Sequence, residues 1–169
     1  KSINHFLNNK DIAIIKIKKR SNKFHSRFSA KKRIYKYIIF NQISSPVIEK
    51  KRGWHVRKPL DLELIKKGAK ILLGTNDFST FRASSCNAKS PIKTINSIKI
   101  KSIKNRIELE FKSQSFLQQQ VRSMVGCLKY LGEKKWDLKT FNKVFKSKKR
   151  ILCAPPAPPE GLFLVRVIY

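Results

Sequence analysis

Short apolar runs at five places along the chain have the spacing of β-strands. Such runs, rich in Ile, Val, Leu, Phe or Tyr, predict strands because the side chains of a strand alternate between its two faces. Two of the runs are separated only by Lys104 and Asn105, which predicts an antiparallel hairpin. The predicted strands cover residues 12–17, 33–40, 95–103, 106–111 and 162–168.

Three other segments repeat apolar residues every three or four positions, which predicts amphipathic helices. The first starts after Asp61, whose carboxylate can cap free backbone amides, and runs to Gly74. The second covers residues 116–130. The third follows a similar cap at Asp137 and ends in the basic run 146–150, which suits the negative end of the helix dipole.

The order of these elements predicts the fold class. A strand, a strand, a helix, a hairpin, two helices and a strand follow one another, and a polar loop at 75–91 separates the first helix from the hairpin. This order is typical of an α+β domain, so we expect a mainly antiparallel sheet with helices packed on it. A length of 169 residues suits one domain with a real hydrophobic core.

Charge narrows the choice of partner. The chain has 39 Lys and Arg against 10 Asp and Glu, a formal net charge of +29. Most of these cations are Lys, and the chain is also rich in Ile and Asn. An AT-rich genome produces the same amino-acid usage, so part of the excess positive charge can lie on solvated faces. The imbalance still favours a nucleic-acid partner over a merely solvated basic surface.

The remaining composition gives expectations about cofactors and location. Cys86, Cys127 and Cys153 lie far apart, without a CxxC pair, so we expect reduced thiols, no metal and no cofactor. No apolar run reaches the ~18 residues of a membrane span and no signal peptide is evident, so we expect a cytoplasmic protein without membrane contact. The chain starts at Lys1 without Met, which suggests a fragment of a longer protein.

Residues 24–41 read FHSRFSAKKRIYKYIIFN, a basic loop with aromatic residues that leads into a strand. Arg27 and the cations at 31–33 can neutralise phosphates, while Phe, His and Tyr rings can stack on unpaired bases. The residue types alone fit equally well with rings in the core and cations in solvent. Tyr35 and Tyr37 are neighbours on one face of the strand because side chains alternate with period two.

Three further stretches carry chemistry or packing. Residues 77–91 read DFSTFRASSCNAKSP, a loop too polar for the core, in which Phe78 and Phe81 are assigned to packing. Residues 116–128 read FLQQQVRSMVGCL and place Arg122 on the flank of the apolar helical stripe. A guanidinium there can hold a carboxylate by a bidentate pair, although the residue type alone favours a surface side chain. Residues 157–167 read APPEGLFLVRV.

These four stretches, in this order and spacing, resemble the tRNA pseudouridine synthase A family, and the resemblance runs from about Asp11 to Tyr169. It implies a pseudouridine synthase-like fold and an isomerase that converts uridine to pseudouridine in the anticodon stem-loop of tRNA. It also implies that no cofactor or metal takes part and that the protein is a homodimer which holds tRNA.

The resemblance also implies roles for individual residues. Tyr35 would stack on the target base and take a proton in the last step, with Tyr37 as the fallback for that position. Arg122 would orient the catalytic aspartate and keep it ionised. The residues expected to contact RNA are Phe24, His25, Ser26, Arg27, Phe28, Tyr35, Ser85, Cys86, Asn87, Ala88 and Lys89.

The family's nucleophile is an aspartate in a segment similar to G-R-T-D-A-G, upstream of the matched stretches. None of the four aspartates of this chain is followed by Ala-Gly. We therefore expect residues 1–169 to form a single C-terminal domain that binds RNA and supports catalysis. The N-terminal part that carries the nucleophile would be missing, and the chain alone would bind tRNA without turnover.

Two other function classes stay open from the sequence. Composition alone favours a non-catalytic RNA-binding module, which a parent gene without an R-T-D-A-G-like segment would support. A DNA-binding structural protein has less support, because the sequence has no helix-turn-helix or zinc pattern.

Overall fold

The computed structural model describes residues 2–7 and 11–169. This part of the chain contains one six-stranded sheet and four α-helices. The α+β class predicted from the element order is confirmed. In chain order the elements are α1 (Ser2–Phe6), β1 (Lys32–Asn41), β2 (Trp54–Val56), α2 (Leu62–Ile71), β3 (Gly74–Asp77), β4 (Ile92–Ile103), β5 (Arg106–Ser113), α3 (Gln120–Gly132), α4 (Leu138–Lys146) and β6 (Leu162–Ile168).

The strands follow the order β2-β1-β5-β4-β3, and β6 also pairs with β1. One edge of β1 is shared, since its first half pairs with β6 and its last three residues pair with β2. The β1–β2 pair is parallel and the other pairs are antiparallel, so the sheet is mainly antiparallel. The predicted hairpin is confirmed as β4 and β5, which turn at Lys104 and Asn105.

Alternation along the strands places the core on the face of the sheet that the helices cover. On β5, Ile107, Leu109 and Phe111 are buried, and Met124 and Leu128 of α3 belong to the same core cluster. The opposite face carries charge. There Glu108 pairs with Lys36 at 2.8 Å and with Arg106 at 2.9 Å. The period-two pattern of the sequence therefore decides which face each residue occupies.

Both predicted helix caps are confirmed. The Asp61 carboxylate accepts a hydrogen bond from the Leu64 amide at 3.1 Å, and the Asp137 carboxylate accepts one from the Thr140 amide at 2.7 Å. The second predicted helix starts later than expected, at Gln120 instead of residue 116, because Gln119 has left-handed backbone angles that a helix does not continue through.

The predicted strand at residues 12–17 is wrong. The segment is irregular, and its apolar side chains are exposed, with Ile15 97% and Ile17 69% accessible. Its backbone at Ile14 is bonded to the Asn4 side chain, at 2.7 and 2.9 Å, and pairs with none of the described strands. A strand is defined by a neighbour that completes its hydrogen bonds, and the apolar run supplies only the side chains.

Two short strands were not predicted. β3 lies in the stretch predicted as a loop and pairs with the start of β4, where Thr75 and Thr94 share a hydroxyl contact of 2.7 Å. β2 is three residues long and pairs with the end of β1. Both are too short to show a periodic pattern. None of the helices within residues 2–7 and 11–169 combines the length and the apolar character that a bilayer crossing requires.

Candidate functional site

A groove with a cavity volume of about 1030 Å³ opens where β1 begins, β5 ends and α3 begins. Side chains from five separate stretches of the chain line it, which places sequence-distant residues around one space. The lining residues include Arg27, Phe28, Arg33, Tyr35, Asn87, Ala88, Lys89, Lys93, Gln114, Phe116, Gln118, Gln119, Gln120 and Arg122.

Tyr35 and Arg122 face this same groove from different elements. Tyr35 lies on β1, half-buried, and its ring meets the Phe116 ring edge to face with centroids 5.2 Å apart. Arg122 lies in the first turn of α3, and its Nε donates a hydrogen bond to the Ala157 carbonyl at 2.5 Å. No hydrogen bond between described residues uses the two terminal nitrogens of Arg122, so they are available to a partner in the groove.

A β-bulge lies directly beside Tyr35. Ile34 pairs with Arg166 of β6, whereas Tyr35 pairs with Leu164, so Val165 is an extra residue on β6. A bulge of this kind raises the local twist and re-aims the side chains next to it. The bulge thus helps to set the direction in which the Tyr35 ring enters the groove.

Tyr37 does not reach the groove. Its side chain is fully buried, and its hydroxyl donates a hydrogen bond to the Pro158 carbonyl at 2.7 Å. Burial raises the pKa of Tyr37, the nearby Glu160 carboxylate raises it further, and the Arg122 guanidinium acts in the opposite direction. A neutral, buried phenol with its hydroxyl already committed is a structural residue. The structure thus places Tyr37 outside the groove, away from the position for which it was the fallback to Tyr35.

Arg33 joins two walls of the groove. Its guanidinium donates to the Gln114 carbonyl through Nη1 and to the Arg27 carbonyl through Nη2, each at 2.5 Å. Sequence reasoning counted Arg33 only among phosphate-neutralising cations. The period-two spacing from Arg33 to Tyr35 places both side chains on the same face, so the sequence indicates that Arg33 lies near Tyr35 but not which carbonyls it binds.

Arg82 holds the loop on the other wall. Its Nη2 donates to the Cys86 carbonyl at 2.6 Å and to the Ala88 carbonyl at 2.8 Å. The Ala83 amide also donates to the Gln118 carbonyl at 3.1 Å, which ties this loop to the start of α3. The loop is thereby held in a shape in which Asn87, Ala88 and Lys89 line the groove.

The groove brings together about half of the predicted RNA-contacting residues: Arg27, Phe28, Tyr35, Asn87, Ala88 and Lys89. Phe24 packs against Tyr169 with ring centroids 4.9 Å apart, away from the lining residues. The His25 ring packs against the Phe28 ring, tilted by 39° with centroids 4.4 Å apart, and its Nδ1 accepts a hydrogen bond from the Arg27 amide, so His25 shapes the loop from outside the groove.

The other predicted RNA contacts also lie outside the lining. Ser26 is exposed, and Ser85 is exposed with its hydroxyl 3.4 Å from the Gln118 carboxamide. Cys86 differs most from the expectation, because only 7% of it is accessible and its side chain belongs to the core cluster. A small apolar thiol in a tight loop is buried by the packing around it, which the polar sequence on either side does not reveal.

The groove is electropositive. Five cationic side chains line it, and no Asp or Glu is among its lining residues in the described chain. The aspartates are engaged elsewhere or exposed: Asp61 and Asp137 cap helices, Asp77 accepts from the Ser79 amide and pairs with Lys148 at 3.4 Å, and Asp11 is exposed. Such a surface attracts a polyanion, and a carboxylate that enters it meets unneutralised cations.

Three consecutive glutamines form the polar wall at the start of α3. Gln119 has φ of 66°, an uncommon conformation for a residue with a side chain. Gln120 is fully buried, its Oε1 accepts from the Leu117 amide at 2.8 Å, and its Nε2 has no partner among the described residues. Sequence reasoning missed both positions, because a Gln run has the composition of an ordinary helix. A strained backbone conformation beside a groove, such as that of Gln119, is frequent at functional sites.

Within the described ranges, no three His, Cys, Asp or Glu side chains are grouped as a metal site would require.

Comparisons with known proteins are consistent with one another. A family model described as tRNA pseudouridine synthase matches residues 69–169. The chain is 74% identical over its full length to the tRNA pseudouridine synthase A of Pelagibacter ubique (strain HTCC1062), of which it covers 69%. It is 36% identical to the enzyme of that name from Rhodospirillum rubrum, with 99% of the chain and 60% of that protein aligned. For Paramagnetospirillum magneticum the identity is 40%, with 99% of the chain and 66% of that protein aligned. The chain thus spans about two thirds of the length of these relatives.

Proposed function

The chain belongs to the tRNA pseudouridine synthase A family, a family of isomerases, and we propose that its groove receives one uridine of a tRNA anticodon stem-loop. The observation that carries this proposal is the convergence of Tyr35 and Arg122 on one electropositive groove. These side chains come from a strand and a helix that are far apart in sequence, and both retain surface towards the same space.

The target uridine leaves its stack to enter the groove. Base extrusion has an energetic cost of a few kcal/mol, and phosphate contacts offset it. Arg27, Lys89 and Lys93 line the groove, where their charges neutralise phosphates of the tRNA backbone. The uracil ring then stacks on the exposed part of Tyr35, which Phe116 supports from the side.

Arg122 acts on a carboxylate. Its Nε is held by the Ala157 carbonyl, so the guanidinium has a fixed orientation and presents its terminal nitrogens for a bidentate pair. An adjacent cation keeps a carboxylate ionised and hence nucleophilic. None of the aspartates of this chain lines the groove, so we infer that the aspartate comes from a segment outside these 169 residues. The chain alone then binds tRNA without turnover.

The chemical step follows from these positions. The aspartate attacks the nucleoside and the bond from the ribose to the base nitrogen breaks. The base turns in place and rejoins the ribose through carbon, the bond between the aspartate and the nucleoside breaks, and Tyr35 takes the proton that this carbon loses. The hydroxyl proton of Tyr35 passes through solvent to the nitrogen released from the ribose, so no net proton is gained or lost. Arg27, Arg33 and the loop held by Arg82 keep the substrate in place during the turn.

The larger assembly is part of the same proposal. An anticodon stem-loop is longer than one groove, and we infer that two copies of the protein form a homodimer and hold one tRNA together. Such a protein acts in the cytoplasm, where tRNA is processed. Sedimentation analysis with and without tRNA measures the dimer directly, and a monomer in both conditions would contradict it.

The test joins the chain to the part of the Pelagibacter ubique relative that the match leaves unaligned. Turnover is measured as tritium released to water from tRNA labelled at carbon 5 of uridine. Arg122→Ala is expected to lower turnover about 100-fold or more and Tyr35→Phe by a comparable factor, while tRNA affinity stays within about threefold. Arg57→Ala and Tyr130→Phe, which do not line the groove, serve as matched controls.

Unchanged turnover in both site variants would refute the assignment of Tyr35 and Arg122. An inactive fusion whose tRNA affinity falls steeply with salt would instead favour a non-catalytic RNA-binding module. A salt-independent affinity would contradict phosphate contacts by the groove cations altogether.

A further inference from the structure

Two of the three cysteines lie side by side, outside the groove. Cys127 is on α3 and Cys153 follows a short 3₁₀ turn, Arg150–Leu152, and their sulfur atoms are 3.4 Å apart. Both are free thiols. A disulfide bond is about 2.05 Å long, so the two sulfurs need to approach by roughly 1.4 Å to be joined. Small side-chain rotations supply a movement of that size.

The two thiols have different surroundings. Cys127 is 1% accessible, whereas Cys153 is partly exposed. The Arg150 guanidinium lies beside Cys153 and donates a hydrogen bond to the Ser123 hydroxyl at 3.0 Å, which holds it in place. The hydrogen bond from the Cys127 thiol, together with Arg150, lowers the pKa of Cys153 against the effect of burial, and the pKa of Cys127 is raised in turn. The partly exposed cysteine therefore has the lower pKa of the two, and the thiolate is the reactive form of cysteine.

We propose that Cys127 and Cys153 form a modification site for peroxides, in which Cys153 is oxidised first and Cys127 then closes a disulfide. Cys153 is partly exposed beside the fixed Arg150 guanidinium, so it reacts with the oxidant. The buried Cys127 thiol, 3.4 Å from it, is the resolving group. No role in the groove is assigned to either residue, and neither lines it.

The reaction balances without a cofactor. The Cys153 thiolate attacks one oxygen of hydrogen peroxide, the O–O bond breaks, and hydroxide leaves and is protonated to water. Cys153 is then a sulfenic acid. The Cys127 sulfur attacks the Cys153 sulfur, the S–O bond breaks, and a second water leaves with the proton of the Cys127 thiol. Two electrons pass from the two sulfurs to the peroxide.

The bond would form on a segment that also positions Arg122. Residues 153–158 run along α3, where the Ala157 amide donates to the Arg122 carbonyl at 3.0 Å and Arg122 Nε donates back to Ala157. A disulfide ties this segment covalently to α3, closing a loop across 26 sequence positions. The thiol chemistry does not depend on the function proposed for the groove, so the two proposals can fail separately.

The experiment treats the reduced chain with hydrogen peroxide and follows it by thiol titration and peptide mass spectrometry. Two of the three thiols are expected to disappear together, with Cys86 retained. The peptides of Cys127 and Cys153 should be linked within one chain, with a mass lower by two hydrogen atoms, and dithiothreitol should separate them. The oxidised chain should melt about 5–10 °C higher than the reduced one.

Variants separate the two roles. Cys127→Ser is expected to leave a Cys153 sulfenic acid that dimedone traps, whereas Cys153→Ser should slow peroxide consumption about tenfold or more. Cys86→Ser is the matched control and should react like the unsubstituted chain. Loss of all three thiols at one rate, or linkage only between different chains, would overturn the proposal. The peptide map of the unsubstituted chain decides this even where a variant fails to fold.

Discussion

Replacing Gly126 by alanine should destabilise the protein far more than the same replacement at Gly68. Both glycines are buried in the interior of a helix, Gly126 in α3 and Gly68 in α2. A Cβ on Gly126 would lie 2.1 Å from the Pro155 carbonyl oxygen, a backbone atom. A Cβ on Gly68 would lie 2.4 Å from Cδ2 of Leu131, the far end of a flexible side chain. The two sites therefore differ in what has to move.

The magnitudes follow from these neighbours. Alanine favours a helix over glycine by about 1 kcal/mol at either site. At Gly68 the leucine methyl group can rotate away, so the net change should stay within about 1 kcal/mol. At Gly126 the backbone must retreat by about 1.3 Å to reach ordinary contact, which pulls Ala157 from the two hydrogen bonds that join it to Arg122. Overpacking and the loss of these bonds cost more than the helix gains, and we expect a net loss of about 3 kcal/mol.

Urea unfolding at neutral pH measures the free energy of unfolding of both variants and thermal unfolding measures their Tm, each followed by far-ultraviolet circular dichroism. For a chain of this length, about 3 kcal/mol corresponds to a fall in Tm of roughly 6–12 °C for Gly126→Ala. Gly68→Ala should melt within about 4 °C of the unsubstituted protein. Equal stabilities of the two variants would show that residues 153–158 are not packed against α3 as described, and would remove the account of how Arg122 is held.

Two further predictions concern buried polar groups. Tyr37→Phe removes the hydroxyl that donates to the Pro158 carbonyl and should cost about 1 kcal/mol, or 2–4 °C in Tm, while Tyr35→Phe should leave Tm within about 1 °C. The hydrogen bond from Lys36 holds the pKa of Glu108 below its usual range, with Arg106 adding to the effect. A lowered folded-state pKa stabilises the protein above the unfolded value of about 4.3, and this stabilisation is lost as pH falls through the folded value. Glu108→Gln should therefore be more destabilising in urea at pH 7 than at pH 3, and an equal penalty at both would refute the ion-pair explanation. Glu63→Gln, in an exposed pair with Lys66, is the control and should change little at either pH.

Much of the fold could be predicted because its causes are local. The helix caps at Asp61 and Asp137 depend on a carboxylate three residues before a free amide, which the sequence shows directly. The hairpin of β4 and β5 follows from alternation on both sides of a two-residue turn. These features need no partner from another part of the chain.

The strand predictions that were wrong or missing depend on pairing between distant segments of the chain. Residues 12–17 have the composition of a strand but no strand neighbour among the described residues, and so do not form one. β3 lacks an apolar pattern and still forms, because β4 supplies its hydrogen bonds. Pairing with a distant segment decides such cases, and a single stretch of sequence does not contain that information.

The candidate site shows the same division. The sequence motifs that resemble the family singled out Tyr35 and Arg122, and both side chains line one groove. They could not show that Tyr37, a tyrosine on the same face of the same strand, is fully buried with its hydroxyl bonded to the Pro158 carbonyl. Nor could they show that Arg33 and Arg82 shape the groove by binding backbone carbonyls, since such acceptors are present at every residue.

The sequence by itself determined the residue types, their alternation, the helix caps and the strong positive charge. Those properties depend on neighbours within a few positions or on simple sums over the chain. Only the tertiary structure decided which of these residues meet, because β1, α3 and the loop held by Arg82 approach one another through packing of the core and sheet pairing. Burial then separated the aromatic ring available to a base from the one fixed in the interior.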